Sequence, residues 1–281
     1  MNHAFAARIQ ARTGRAILGA RPLSGGCVGE VLLVDLAGGE RVVAKIGPGL
    51  EPEGWMLCAL AERTALPVPA TLLTDDDLLL MAYVEGRDGL DGPAQAHAAD
   101  LLADLHDLTW RAYGLERDTV IGGLRQPNPP TARWLDFYRD HRLLYMAGEA
   151  HRAGRLPARL LGRIESLAGQ LARWIDEPER PGLIHGDCWG GNVLCRDGRV
   201  AAFIDPALYY ADPEIELAFG TLFGTFGDAF FKRYEERRPI RPGFHEVRRS
   251  LYLLYPLLVH VRLFGGGYVG SVERIVDRFL G

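Results

Sequence analysis

Leu183-Ile184-His185-Gly186-Asp187-Cys188-Trp189-Gly190-Gly191-Asn192-Val193-Leu194, followed by Phe203-Ile204-Asp205-Pro206, is the stretch on which the reading of this chain turns. Residues 193–195 and 200–204 read as short strands around the turn Arg196-Asp197-Gly198, which gathers Asp187, Asn192 and Asp205 on strand ends and their loops. Phosphoryl transfer needs a carboxylate that orients the attacking hydroxyl and accepts its proton, together with oxygen ligands that hold Mg²⁺ against nucleotide phosphates. In such a site Asp187 is the expected base, Asn192 and Asp205 are the expected metal ligands, and His185 braces the loop rather than reacting. A single Asp or Asn at a turn is usually a loop cap, but the whole constellation, framed by two apolar strands, favours chemistry.

Upstream, Leu23-Ser24-Gly25-Gly26-Cys27-Val28-Gly29-Glu30 precedes an apolar run, so that Gly25, Gly26 and Cys27 could fold over phosphates through their backbone N–H groups. The spacing is not Gly-x-Gly-x-x-Gly, and its weight comes from the strand that follows and leads to Val42-Val43-Ala44-Lys45. An ammonium at the end of that second strand can reach the α- and β-phosphates if a carboxylate fixes its flexible stem. Glu53 is the expected partner of Lys45, with Glu51 a rival that spacing alone does not separate. Leu79 to Gly86 ends the sheet-forming part, and Ala82 and Val84 are the expected backbone contacts to adenine.

An opening helix, strands at 31–36 and 41–46 around Ala37-Gly38-Gly39-Glu40, a helix from Trp55, and strands at 70–73 and 78–84 make the first part β-rich. From Pro93 the apolar period becomes helical, and helices are expected at 158–175, 216–234, 244–264, with a kink at Pro256, and 272–280. The fold class is therefore α+β, a bilobal architecture similar to that of protein kinases, with a nucleotide-binding lobe at 1–84, a catalytic and substrate-binding lobe at 85–281, and a hinge at 86–92. With 281 residues, 48% of them hydrophobic, the chain can bury a large core. A formal net charge of −4 argues against nucleic acid or anionic lipid as partner and for a small molecule. The longest apolar run, 251–259, is too short for a membrane span, no secretion signal is read, and Cys27, Cys58, Cys188 and Cys195 lack disulfide or metal spacing, which points to the cytoplasm.

With these residues placed, the chain resembles the fructosamine kinase (ketosamine-3-kinase) family within the aminoglycoside-phosphotransferase-like group, nearly from end to end. The resemblance rests on His106, Ile121-Gly122-Gly123, Gln126-Pro127-Asn128, Trp134, Phe137-Tyr138 and Arg142-Leu143 in the middle region. It continues through Trp189, Asp205-Pro206-Ala207-Leu208-Tyr209-Tyr210, Glu214, Glu216-Leu217-Ala218, Leu222-Phe223-Gly224 and the run from Tyr252 to His260. The stretch from Asn128 to Arg142 and the Tyr-Tyr pair are not demanded by generic phosphoryl transfer and favour this family over antibiotic kinases.

The resemblance implies ATP and Mg²⁺ as cofactors and transfer of the γ-phosphate to the sugar 3-hydroxyl of a fructosamine or ribulosamine. The partner would be a small glycated amine or a glycated protein side chain, and the product would be unstable and release the free amine. Cys188 and Gly190 stand where the family often has Leu and Ser, a departure that touches the sugar pocket rather than the metal ligands. Trp189 beside the base is a candidate substrate platform, and Glu214 and Glu216 are acidic candidates, at least one of them read as a helix-start charge. Some relatives carry cysteine at the position of Cys27 and use it to link subunits, so the chain is expected to be a monomer or a redox-sensitive dimer. A kinase for aminoglycosides or another small alcohol would use the same Asp187, Asn192 and Asp205, whereas a pseudokinase would bind nucleotide without turnover.

Overall fold

A computed structural model describes residues 3–23 and 29–281. Helix α1 (His3–Thr13) precedes strands β1 (Ile17–Pro22), β2 (Glu30–Leu36) and β3 (Arg41–Ile46), then helix α2 (Glu51–Arg63) and strands β4 (Thr71–Thr74) and β5 (Leu78–Ala82). The strands form one antiparallel sheet in the order β1-β2-β3-β5-β4, with Lys45 of β3 opposite Val31 of β2 and Leu79 of β5. One face of this sheet buries Leu32, Val34, Ala44 and Leu80 with Ile9 of α1, and the other packs Leu79 and Met81 on Leu57 of α2. The remaining face of α2, with Met56, Ala59 and Leu60, joins the core of the helical part, so this helix is shared between the two lobes.

Beyond Tyr83 the chain forms a two-residue strand β6 (Arg87–Asp88) and then α3 (Gly92–His106). Asp91 caps α3 by accepting a hydrogen bond from the Ala94 N–H (3.1 Å), and Pro93 sits in its first turn, where no backbone donor is needed. There follow β7 (Thr119–Ile121), β8 (Leu124–Gln126), α4 (Trp134–Tyr138), a π-helical turn at Arg139–Leu144, α5 (Tyr145–Arg152) and α6 (Ala158–Ala168). Strands β9 (Gly182–Ile184), β10 (Val193–Arg196), β11 (Arg199–Phe203) and β12 (Tyr209–Ala211) carry the central loops, and α7 (Glu214–Leu222), α8 (Asp228–Arg237), α9 (Arg249–Phe264) and α10 (Gly267–Leu280) complete the chain. The pairings β11-β10-β6 and β12-β9 frame the loop that holds Asp187. No helix among the described residues is long and apolar enough to cross a membrane.

Several expected elements are shorter or divided. The helix expected over 216–234 is two helices, because the chain turns back at 223–227, where the Phe226 N–H donates to the Gly220 carbonyl (2.9 Å) and the Phe226 ring stacks on Phe230 (3.7 Å between centroids). The one expected over 158–175 ends at Ala168 and is followed by a 3₁₀ turn at Leu171–Arg173. The one expected over 244–264 opens with a π-helical turn at Phe244–Arg248, and Pro256 lies inside α9. Strands β7, β8, β9 and β12 have three residues each, too few for an alternating pattern to show. Strand β1 has no counterpart among the expected strands: as an edge strand that is largely exposed it has no apolar alternation to reveal it.

Several of the residues that carry the family resemblance outside the catalytic loop converge on one buried guanidinium. Arg142 donates to the carbonyls of Pro127 (2.7 Å) and His141 (2.8 Å) and to Asn128 Oδ1 (2.5 Å), and lies 3.8 Å from the Tyr209 ring centroid. Gln126 donates to the Ala207 carbonyl (3.0 Å) and accepts from the Tyr255 hydroxyl (2.6 Å). These contacts tie β8 and α9 to the backbone just after Asp205. Hydrogen bonds from a charged donor contribute about 1.5–3 kcal/mol each, so Arg142→Ala should lower stability by at least about 3 kcal/mol. Urea denaturation measures this, and a loss below about 1 kcal/mol would contradict the assigned role.

Candidate active site

Strand β9 delivers the chain into the loop from His185 to Asn192, and the loop's entrance admits only glycine at position 186. Gly186 has φ +86°, and a Cβ there would lie 2.0 Å from the Ala207 carbonyl oxygen. The Gly186 N–H donates to Glu216 Oε1 (2.6 Å) and the His185 N–H to Glu216 Oε2 (3.2 Å). His106 Nε2 lies 2.8 Å from Glu216 Oε2, and His106 Nδ1 lies 2.7 Å from the Tyr234 hydroxyl. His106 and Glu216 are buried, so this line from α8 through α3 and α7 fixes the turn that presents Asp187. Burial would raise the Glu216 carboxyl, but hydrogen bonding and charge from His106, with help from the Gly186 amide, hold it below the usual value.

Asp187 sits in a recess, with Asn192 Nδ2 donating to both its carbonyl and its Oδ2 (2.9 Å each). Burial, reinforced by the facing charge of Asp205, pushes the Asp187 carboxyl up to about 8. His185 Nδ1 accepts from the Asp187 N–H at 3.4 Å, and burial lowers the imidazole's affinity for a proton, which suits a neutral brace. Asp205 lies just past β11 with φ +54°, a left-handed conformation that Asp tolerates better than bulkier residues and that recurs at functional positions.

Lys45 links the two lobes. Its Nζ lies 2.6 Å from Glu53 Oε1 and 2.5 Å from Asp205 Oδ1, and the side chain is almost wholly buried. Burial works against the ammonium, yet the two carboxylates outweigh it and hold its pKa above the ordinary lysine value. The rival carboxylate is engaged elsewhere, since Glu51 pairs with Arg117 at 2.6 Å. Asn192 and Asp205 offer the hard oxygen ligands Mg²⁺ prefers. Because Mg²⁺ commonly takes only one or two protein groups and fills its shell with phosphate oxygens and water, this small donor set fits the ion.

Other expected site residues are placed less simply. The Ala82 N–H is spent inside the sheet on the Ala70 carbonyl (2.8 Å), so a contact from Ala82 to a base falls to its carbonyl, while Val84 lies past the end of β5. Gly25, Gly26 and Cys27 lie outside the described residues. Trp189, within the loop, is 37% exposed. Glu214 does not reach a substrate: its two oxygens are taken by Arg248 (2.6 and 2.9 Å) and Arg241 (3.2 Å), and it is buried. It is a structural anion at the start of α7, and its neighbour Glu216 holds the loop. The brace formed by Thr225 escaped the sequence reading: its Oγ1 accepts from the Gly190 N–H (2.7 Å), a contact between distant loops that no local pattern announces.

A profile of the fructosamine kinase family matches residues 1–281. The chain belongs to the fructosamine kinase family. Among its relatives, a Synechocystis sp. protein assigned as a ketoamine kinase is 34% identical over 92% of this chain and 90% of its own length. The chloroplastic protein-ribulosamine 3-kinase of rice is 32% identical over 94% of this chain and 79% of its own. A crystal structure of a Thermobifida fusca protein assigned as a fructosamine-3-kinase superposes with a TM-score of 0.85 at 30% identity, covering 99% of this chain and all of the other. The fold is thus the bilobal, protein-kinase-like α+β fold of fructosamine kinases and aminoglycoside phosphotransferases.

A depressed carboxyl in the folded state adds stability that is present above the unfolded value and is lost as pH falls through the folded one. Glu216→Gln should therefore be less stable than the unaltered protein at pH 6, and the gap should narrow as pH falls below about 4.3. Urea unfolding of both proteins at pH 6 and pH 4 reads the difference, and a gap that widens toward acid would refute the assignment.

Proposed function

We propose that this protein transfers the γ-phosphate of ATP to the sugar 3-hydroxyl of a ketosamine, a fructosamine or ribulosamine. The family supports the substrate class, and one observation carries the chemistry: Lys45 Nζ meets Glu53 and Asp205 together, so a phosphate-binding cation from the sheet lobe stands beside a metal-binding carboxylate of the helical lobe. Asp187, ionised once Mg²⁺ offsets the Asp205 charge that helps to raise its carboxyl, would hold the substrate hydroxyl and accept its proton as the oxygen attacks the γ-phosphorus. The new O–P bond forms as the bond from phosphorus to the β,γ-bridging oxygen breaks, and ADP leaves with the electron pair. Asn192 keeps the Asp187 carboxylate aimed through its amide. Lys45, steadied by Glu53, binds the α- and β-phosphates, and the carbonyl of Ala82 and the backbone of Val84 face the adenine. Mg²⁺, held by Asn192 and Asp205, would neutralise charge on the transferred phosphoryl group. The phosphorylated ketosamine then decomposes and releases the free amine, which amounts to repair of a glycated amine or protein side chain.

Purified protein with Mg²⁺-ATP should release ADP with fructosyl-lysine or ribulosyl-lysine and not with unmodified sugars or aminoglycosides. Turnover confined to aminoglycosides would overturn the substrate, and nucleotide binding without turnover of any acceptor would overturn the activity. Asp187→Asn should lower kcat by orders of magnitude with nucleotide binding nearly intact, whereas Asp205→Ala should also weaken Mg²⁺-dependent nucleotide binding, read by titration calorimetry. Equal and modest losses from both would sink the division of roles.

A further inference from the structure

Five large apolar side chains are exposed among the described residues, and three of them, Trp189, Phe223 and Phe264, fall in one run joined by His260. The ring centroids of Trp189 and Phe223 lie 5.7 Å apart, those of Phe223 and His260 5.2 Å, and those of His260 and Phe264 5.7 Å, with Tyr268 4.9 Å from His260. Scattered exposed apolar residues are ordinary, but a contiguous aromatic patch marks a surface that binds something.

The run starts at the reacting centre and is held rigid. The Trp189 indole lies over Gly191, where a Cβ would come within 2.4 Å of Cη2, so the catalytic loop itself sets the ring. Phe223 belongs to the turn between α7 and α8, which Thr225 ties to the catalytic loop through the Gly190 N–H. His260 Nδ1 donates to the Pro256 carbonyl (2.7 Å), which fixes the imidazole on α9, and burial lowers its affinity for a proton. Phe264 and Tyr268 end the run at the junction of α9 and α10.

We propose that Phe223, Phe264 and Tyr268 form the binding surface for the amine-side substituent of the ketosamine, and that this surface selects substituents with an aromatic or extended aliphatic chain. The inference rests on the ketosamine reading. A ketosamine has two ends, and when its sugar hydroxyl meets Asp187 the group on its nitrogen must leave the cleft. The aromatic run begins two residues beyond that base, and a chain leaving along it crosses ring faces. Aromatic pairing adds attraction there beyond simple burial, and the ketosamine's secondary ammonium is drawn to the same faces.

The experiment compares kcat/KM for two fructosamines, of phenethylamine and of ethanolamine, in the unaltered full-length protein and in Phe264→Ala and Phe223→Ala. The unaltered protein should prefer the phenethylamine adduct, and each variant should reduce that preference about three- to tenfold, chiefly through KM. A ratio of two substrates measured on one sample does not depend on the fraction folded, so poor folding of a variant does not blur the outcome. Preference unchanged in both variants, or no preference in the unaltered protein, overturns the surface while leaving the ketosamine activity standing. Turnover of neither adduct by the unaltered protein overturns the ketosamine reading and this inference with it.

Discussion

The buried carboxylate of Glu216 is the constraint on which the active region hangs. Removing a carboxylate from water costs several kcal/mol, on the order that only good geometry offsets. Glu216 meets that condition by accepting from two consecutive backbone amides, those of His185 and Gly186, and from His106. The same contacts orient the peptide units before Asp187, so the group that stabilises the burial also aims the proposed base. Gly186 can follow this path only because it lacks a Cβ, with the Ala207 carbonyl filling the space where one would be. Catalytic geometry and core packing are therefore one problem in this loop.

A second buried group extends the same logic to the far side of the site. Arg142 gathers Pro127, Asn128 and the ring of Tyr209, while Gln126 joins Ala207 to Tyr255. Residues 205–210 are thus held from below by β8 and α9, leaving Asp205 free to adopt its left-handed backbone at the edge of this frame. Gln126, Pro127, Asn128 and Arg142, part of the middle region on which the family resemblance rests, make up this polar scaffold.

Much of this was legible along the chain. The strands at 31–36 and 41–46, the helix from Pro93 and the placing of Asp187, Asn192 and Asp205 on loops between short strands follow from apolar period and turn residues, which are local properties. The choice of Glu53 over Glu51 was not legible: both begin the same helix, and only the distant Arg117, which takes Glu51, separates them. Glu214 looked like a site acid for a similar reason, since an acidic pair at a helix start shows nothing of which member faces Arg248 and which faces the loop. The break between α7 and α8 depends on Phe226 stacking on Phe230, a contact that a continuous helical period conceals.

The amino-acid sequence by itself determined the class of fold, the order of its lobes, the grouping of Asp187, Asn192 and Asp205 proposed here as the phosphoryl-transfer triad, and the family. Each is written in residue type and short spacing, which survive without knowledge of what lies across the core. Tertiary structure alone decided which carboxylate meets Lys45, which acid braces the catalytic loop, and that Trp189, Phe223, His260 and Phe264 form one surface. These depend on contacts between residues far apart in the chain, where burial and charge choose the partner and sequence spacing carries no information about it.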